Sequence, residues 1–196
     1  MVVIVFAGIA FAEMYEAPSQ VPRPFPAESL RTNYGLPSFS LTNQSGRGVT
    51  PEQFKGRVVL ITAIYSTCGE TCPLIIDQIK RATKAITNEE RSDLTILVIT
   101  LDPEHDTPQV LGRMAKAHDI KAPFFNLLSG APAEVNSVLD RLGFARQRVP
   151  QTGSIAHANL FLLVDRQGKL AYRFTLGDEQ EAWMTQTIRQ LIKETV

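Results

Sequence analysis

Cysteine and histidine are scarce in this chain: two cysteines and three histidines among 196 residues. That scarcity excludes a fold stapled by several disulfides. It also leaves a closed zinc site, which takes four nitrogen or sulfur donors, dependent on an unusual mixed set. Net charge is missing as well, since 20 Lys and Arg are matched by 20 Asp and Glu. With no long basic run and no arginines interleaved with aromatics, no field draws in nucleic acid or an anionic membrane surface. Long apolar runs are lacking too. The unbroken stretch Val2 to Ala12 (VVIVFAGIAFA) falls short of the roughly 20 residues a helix needs to cross a bilayer. No positive charge precedes it, as a signal peptide would carry.

What is present divides the chain into three parts. Residues 1–15 form an apolar N-terminal segment, readable as the tail of a membrane anchor that begins before this sequence, an atypical signal core, or a buried strand. Residues 16–35 form a linker in which Pro18, Pro22, Pro24 and Pro26 favour an extended, semi-rigid chain. Residues 36–196, with 44% of the whole chain hydrophobic, are long enough for one well-buried core.

Within the third part the pattern alternates strand and helix. Phe39–Leu41 and Gly48–Val49 flank a turn and predict a hairpin. Thr50-Pro51-Glu52-Gln53 predicts a helical turn closed by a capping box. Val58–Tyr65 and Leu94–Leu101 are continuous apolar runs, as expected of strands buried on both faces. Pro73 to about Ile86 carries apolar residues at helical spacing, with Pro73 as first helical residue. Further helices are expected from Thr107-Pro108, from about Pro132 to Gly143, and from Asp178 to about Glu194. Phe124–Leu128 is a short strand, and 157–164 pairs with 169–174 as a late hairpin. Parallel strands joined by helices, then an antiparallel hairpin and a helix, match a thioredoxin-like α/β fold. Its central mixed sheet is flanked by helices and carries an N-terminal β-hairpin extension.

Cys68-Gly69-Glu70-Thr71-Cys72-Pro73 sits between a buried strand and a helix start, where open α/β sheets bind ligands. The positive end of the helix dipole favours thiolate there, while Glu70 works against it. Cα atoms four apart in a turn lie about 6 Å apart, within reach of a disulfide. The pair can therefore cycle between dithiol and disulfide, hold a soft ion such as copper(I), or act as a staple, although so small a loop stabilises little. Two thiolates with one imidazole make a low-coordinate copper site, and His157, opening the late hairpin, is the expected third ligand. His105 is a reserve ligand in an acidic loop. His118, near a helix end, reads as structural. Asp102, ending the second buried strand, is expected beside the ligands, orienting one of them or handling protons. Asp106 is expected only to fold its loop and cap the next helix.

Cys-x-x-x-Cys-Pro after one buried strand, Asp-Pro-x-x-Asp-Thr-Pro (102–108) after the next, and a histidine opening the late hairpin together resemble the Sco/SenC family. The resemblance runs from about Leu36 to the end. It implies a membrane-anchored domain on the periplasmic side of the bacterial inner membrane. It also implies one copper, as Cu(I) or Cu(II), held by Cys68, Cys72 and His157 with Asp102 alongside. The implied partners are cytochrome c oxidase subunit II, or a similar copper client, and a copper donor chaperone. Gly69 and Glu70 stand where the family commonly has proline and aspartate, and Ser66-Thr67 separate Tyr65 from Cys68, marking a divergent member. The alternative is an enzyme, a thiol–disulfide oxidoreductase using the Cys68–Cys72 pair. Dedicated reductases resemble one another in a two-residue gap and a proline before the hairpin strand; here three residues intervene, and Ile155-Ala156 precede His157. A peroxiredoxin's threonine and proline are missing at their spacings before either cysteine. Trp183 lies in the last helix, out of place for a glutathione peroxidase.

Overall fold

The computed structural model describes residues 24–195, so the apolar segment 1–15 and the first part of the linker lie outside the described residues. In chain order the elements are α1 (Ala27–Leu30), β1 (Tyr34–Gly35), β2 (Leu41–Asn43), β3 (Gly48–Val49), a 3-10 turn (Pro51–Phe54), β4 (Val58–Ile64), α2 (Thr71–Lys84), α3 (Asn88–Ser92) and β5 (Leu94–Thr100). They continue with α4 (Pro108–Ala117), β6 (Phe125–Ser129), α5 (Pro132–Leu142), β7 (Arg146–Arg148), β8 (Ile155–His157), β9 (Leu160–Val164), β10 (Lys169–Thr175) and α6 (Asp178–Lys193).

Every residue of β4 and of β5 is buried. Successive strand residues point to opposite faces, so complete burial means that both faces of the sheet are covered there. The two strands run parallel, Val58 opposite Leu94 through Ile64 opposite Thr100, and β6 continues the parallel set beside β5. On the other flank β9 lies antiparallel to β4, followed by β10 and β1. The eight-stranded order is β1-β10-β9-β4-β5-β6-β2-β3. This is a thioredoxin-like mixed sheet, with the β2–β3 hairpin added beside β6.

Parallel strands place their carboxyl ends at one rim, so the loops after β4 and β5 open together. Leu101 N donates to Ile64 O at 2.7 Å, carrying the β4–β5 pairing one step past the strands. Beneath that rim the core is aromatic and aliphatic: Phe161, Tyr172, Phe174, Leu97 and Ile188 are each almost fully buried.

Several local expectations change. The capping box at Thr50 does not form, because the segment winds as a 3-10 turn. The Gln53 amide then donates to Thr50 O at 3.3 Å and is not available to the threonine hydroxyl. A capping box does form at α3, a helix not among those expected: Thr87 Oγ1 accepts from Glu90 N, and Glu90 Oε2 accepts from Thr87 N. Helix α2 begins at Thr71 rather than Pro73. Proline is tolerated throughout a first turn, where amide hydrogens have no intrahelical partner, so it marks the turn and not the first residue. The loop expected before His157 contains the ribbon β7–β8, so His157 ends β8 instead of opening β9. The described end of the linker is docked: Phe25 packs on Tyr172, Phe174 and Trp183, and Arg31 pairs with Asp165 and Glu194.

Candidate metal centre

Tyr65 closes the buried run of β4, and the chain turns at once: Cys68 N donates to Tyr65 O at 3.2 Å. The turn leaves Cys68 half-buried at the rim, while Cys72, in the first turn of α2, is 0% exposed. Both are free thiols. Cys72 N donates to Cys68 Sγ at 3.4 Å, so the sulfur occupies the place of an N-cap acceptor at a helix start. Thr71 Oγ1 lies 3.8 Å from the same sulfur.

The third donor arrives from far along the chain. The β7–β8 ribbon carries His157, whose Nε2 lies 3.9 Å from Cys72 Sγ. Its ring stands edge-on to Tyr65 at 6.1 Å. The Tyr65 hydroxyl accepts from Ile155 N at 3.1 Å, fixing β8 to the end of β4. His157 Nδ1 faces Ala158 O at 3.4 Å; with the proton on Nδ1, the Nε2 lone pair points toward the sulfurs. The ligand atoms of Cys68, Cys72 and His157 all lie within 4.8 Å of one another. Bonds of about 2.0–2.3 Å in a trigonal plane place donor atoms about 4 Å apart, so three such atoms suit one small ion with slight tightening. Two soft sulfurs and one imidazole suit copper better than hard cations, which take oxygen.

The two thiols differ in electrostatic setting. Burial raises the Cys68 pKa, but the hydrogen bonds from Cys72, from the backbone of Glu70 and Cys72, and from Thr71 outweigh it, so Cys68 is held below the ordinary thiol value. Cys72 is pushed well up, by burial first and then by the proton it shares toward Cys68. Burial lowers His157, against a smaller opposing contribution from Ala158 O, which keeps the imidazole neutral and able to ligate.

The two aspartates of the 102–108 loop have different surroundings. Asp102, buried, accepts from Arg148 Nη2 at 2.6 Å and meets His105 Nδ1 at 2.9 Å. It lines a cavity of about 200 Å³ with Glu104, Arg146 and Arg148. The carboxylate tied to the thiol loop is Asp106, 1% exposed, whose Oδ2 accepts from Ser66 N at 3.0 Å and from the Thr100 hydroxyl. Its Oδ1 is buried with no hydrogen-bond partner, and its charge contributes to raising Cys72. Asp106 does fold the loop, and it also holds the residue two before Cys68, a tie that loop composition does not reveal. His105 is exposed and raised by Asp102; its carboxylate neighbours Asp102 and Glu104 lie within 4.8 Å, apart from the thiol group. His118 is the C-cap of α4 and lines a groove with Cys68.

A thioredoxin-like domain with two thiols at the start of a helix and a histidine brought against them defines a thiol–imidazole ligand site. The chain belongs to the SCO1/SenC family, whose model matches residues 27–193. It is 27% identical to an SCO2-like protein of Rickettsia typhi over 144 residues, covering 71% of this chain and 69% of that protein. An SCO1 protein homolog of Bacillus subtilis is 27% identical over 140 residues, covering 70% and 72%. Among solved structures, Bradyrhizobium japonicum ScoI with copper bound aligns with TM-score 0.70 at 28% identity, over 81% of this chain and 99% of that one. A SCO1/SenC family lipoprotein from Bacillus anthracis aligns with TM-score 0.74 at 20% identity, over 83% and 98%, a likeness of fold.

Proposed function

We propose that this protein carries copper: Cys68, Cys72 and His157 bind one ion and pass it to cytochrome c oxidase subunit II or a related copper client. The observation that carries the reading is the meeting of the two sulfurs with an imidazole 85 positions away, at 3.9 Å from Cys72 Sγ. A fold alone does not require a neutral histidine aimed at two thiols. The relative from Bradyrhizobium japonicum, solved with copper bound, supports the choice of ion. Copper here is cargo, supplied by a donor chaperone, and loading displaces the proton of the Cys72 thiol. The same reading puts the domain on the periplasmic side of the inner membrane, with residues 1–15 as its tether.

The test is copper(I) titration of the reduced protein against a colorimetric chelator, repeated with His157→Ala and Cys68→Ala. One equivalent held by the parent, with at least tenfold weaker binding in each variant, is the expected result. A His157→Ala protein that binds as the parent does overturns the ligand set. A second reading, thiol–disulfide oxidoreductase, is favoured by the unequal thiols, one partly exposed and held toward thiolate and one buried and protonated. Rapid reduction of a client disulfide, together with absent copper binding, would establish it instead.

A further inference from the structure

A groove of about 370 Å³ opens beside Cys68, between the start of α2 and one face of α4. Pro73 forms one wall; Val110, Arg113, Met114 and His118 form the other. These α4 residues recur at three- and four-residue spacing and so share a helix face. Among the described residues, no hydrogen bond or ion pair occupies the side chains of Arg113, Met114 or His118. Leu74, which follows Pro73, is 55% exposed, one of three large apolar side chains so exposed among the described residues.

We infer that this groove docks an acidic, cysteine-bearing segment of the protein that exchanges copper with this one, and that Met114 and His118 contact the ion in transit. The inference rests on the copper reading above. Thioether and imidazole are donors that suit copper(I), and here they line the same concave surface as the more accessible ligand thiol. Cys72, fully buried, is not reached directly, so an incoming sulfur meets Cys68 first. Arg113, unpaired at the groove, complements a carboxylate on the incoming segment, and Leu74 with Val110 gives that segment an apolar footing. During exchange copper remains copper(I). Its bond to the partner sulfur breaks as its bond to Cys68 forms, and the sulfur that copper leaves takes up the proton that Cys72 gives up on joining the ion.

The probe is a synthetic peptide with two cysteines three residues apart, flanked by glutamates and loaded with copper(I). Transfer from it is timed by stopped flow and compared with transfer from copper(I) bicinchoninate, which presents no peptide. In the double variant Met114→Leu/His118→Gln, transfer from the peptide is expected to slow about tenfold, equivalent to about 1.4 kcal/mol of barrier. In Arg113→Glu it slows and loses its salt dependence. The final copper affinity remains as in the parent in both variants. Unchanged peptide transfer in both variants overturns the groove while leaving the copper reading intact. Slowing accompanied by a weakened final copper affinity also overturns it, because the side chains then act through the thiol site or the fold. A parent protein that takes copper from neither donor defeats the copper reading and the groove together.

Discussion

Cys68 and Cys72 are four positions apart and chemically unequal. The first is partly exposed and stabilised as thiolate by the groups that donate to it; the second is buried and holds its proton. Since thiolate and access together set alkylation rates, iodoacetamide at pH 7 is expected to modify Cys68 at least about tenfold faster than Cys72, as read by peptide mass mapping. Labelling of Cys72 first would contradict the geometry. His157 gives a second residue-level prediction. Its folded pKa is lowered from 6.5 by burial, so the unfolded chain takes up the proton first as pH falls. Stability from this group is therefore complete above about 6.5 and is lost as pH falls through the lower folded value. Denaturant unfolding of the copper-free protein should weaken between pH 7.5 and pH 5, and His157→Ala should flatten that dependence.

At the scale of elements, the site depends on how the loops after β4 and β5 are joined. Asp106 makes that join, receiving Ser66 N from one loop and the Thr100 hydroxyl from the end of β5. Asp106→Ala leaves both donors without their acceptor in a buried place, so a loss of about 2–3 kcal/mol is expected. Copper affinity should fall as well, because Ser66 precedes Cys68 by two residues. Asp106→Asn keeps an acceptor oxygen and should recover part of both losses in parallel denaturation and titration measurements. This residue also shows what the sequence could not reveal. Asp102 and Asp106 share one loop and one residue type, and only the packing beneath Ser66 distinguishes the carboxylate tied to the thiol loop from the one paired with Arg148 and His105. The β7–β8 ribbon was illegible for a related reason: three-residue strands with one buried side chain between them carry too little periodicity to register. Helix α2, by contrast, was legible because its apolar positions repeat and Pro73 marks its first turn.

Across the whole molecule, copper binding should couple to folding through His157. Cysteines four apart can hold copper(I) even in an unfolded chain, but the imidazole, 85 positions beyond Cys72, joins them only when the chain between is folded. Free copper(I) at about 100 times Kd adds up to about 2.7 kcal/mol to a protein whose unfolded form does not bind it. For a domain of this size that corresponds to about 5–10 °C in Tm. The shift is expected in calorimetry of the reduced protein, should shrink in His157→Ala, and should vanish in Cys72→Ser. An equal shift in His157→Ala would mean that the histidine adds nothing to the bound state.

By itself the sequence determined the apolar strands β4 and β5, the helices that follow them, and the cysteine pair at their junction, because these are written in local periodicity, caps and turn residues. It also named His157 as the candidate third donor. Tertiary structure alone decided that His157 comes from a separate ribbon and that Asp106 is the carboxylate tied to the thiol loop. It also decided that His118, legible only as a helix-end residue, lines a groove beside Cys68. Each of those outcomes depends on contacts between segments roughly 40 to 90 positions apart, where burial and approach are set by strand order and not by neighbouring residues. The cysteine pair was thus legible as chemistry, and its partners became legible only once the sheet had placed the β4 and β5 loops at one rim.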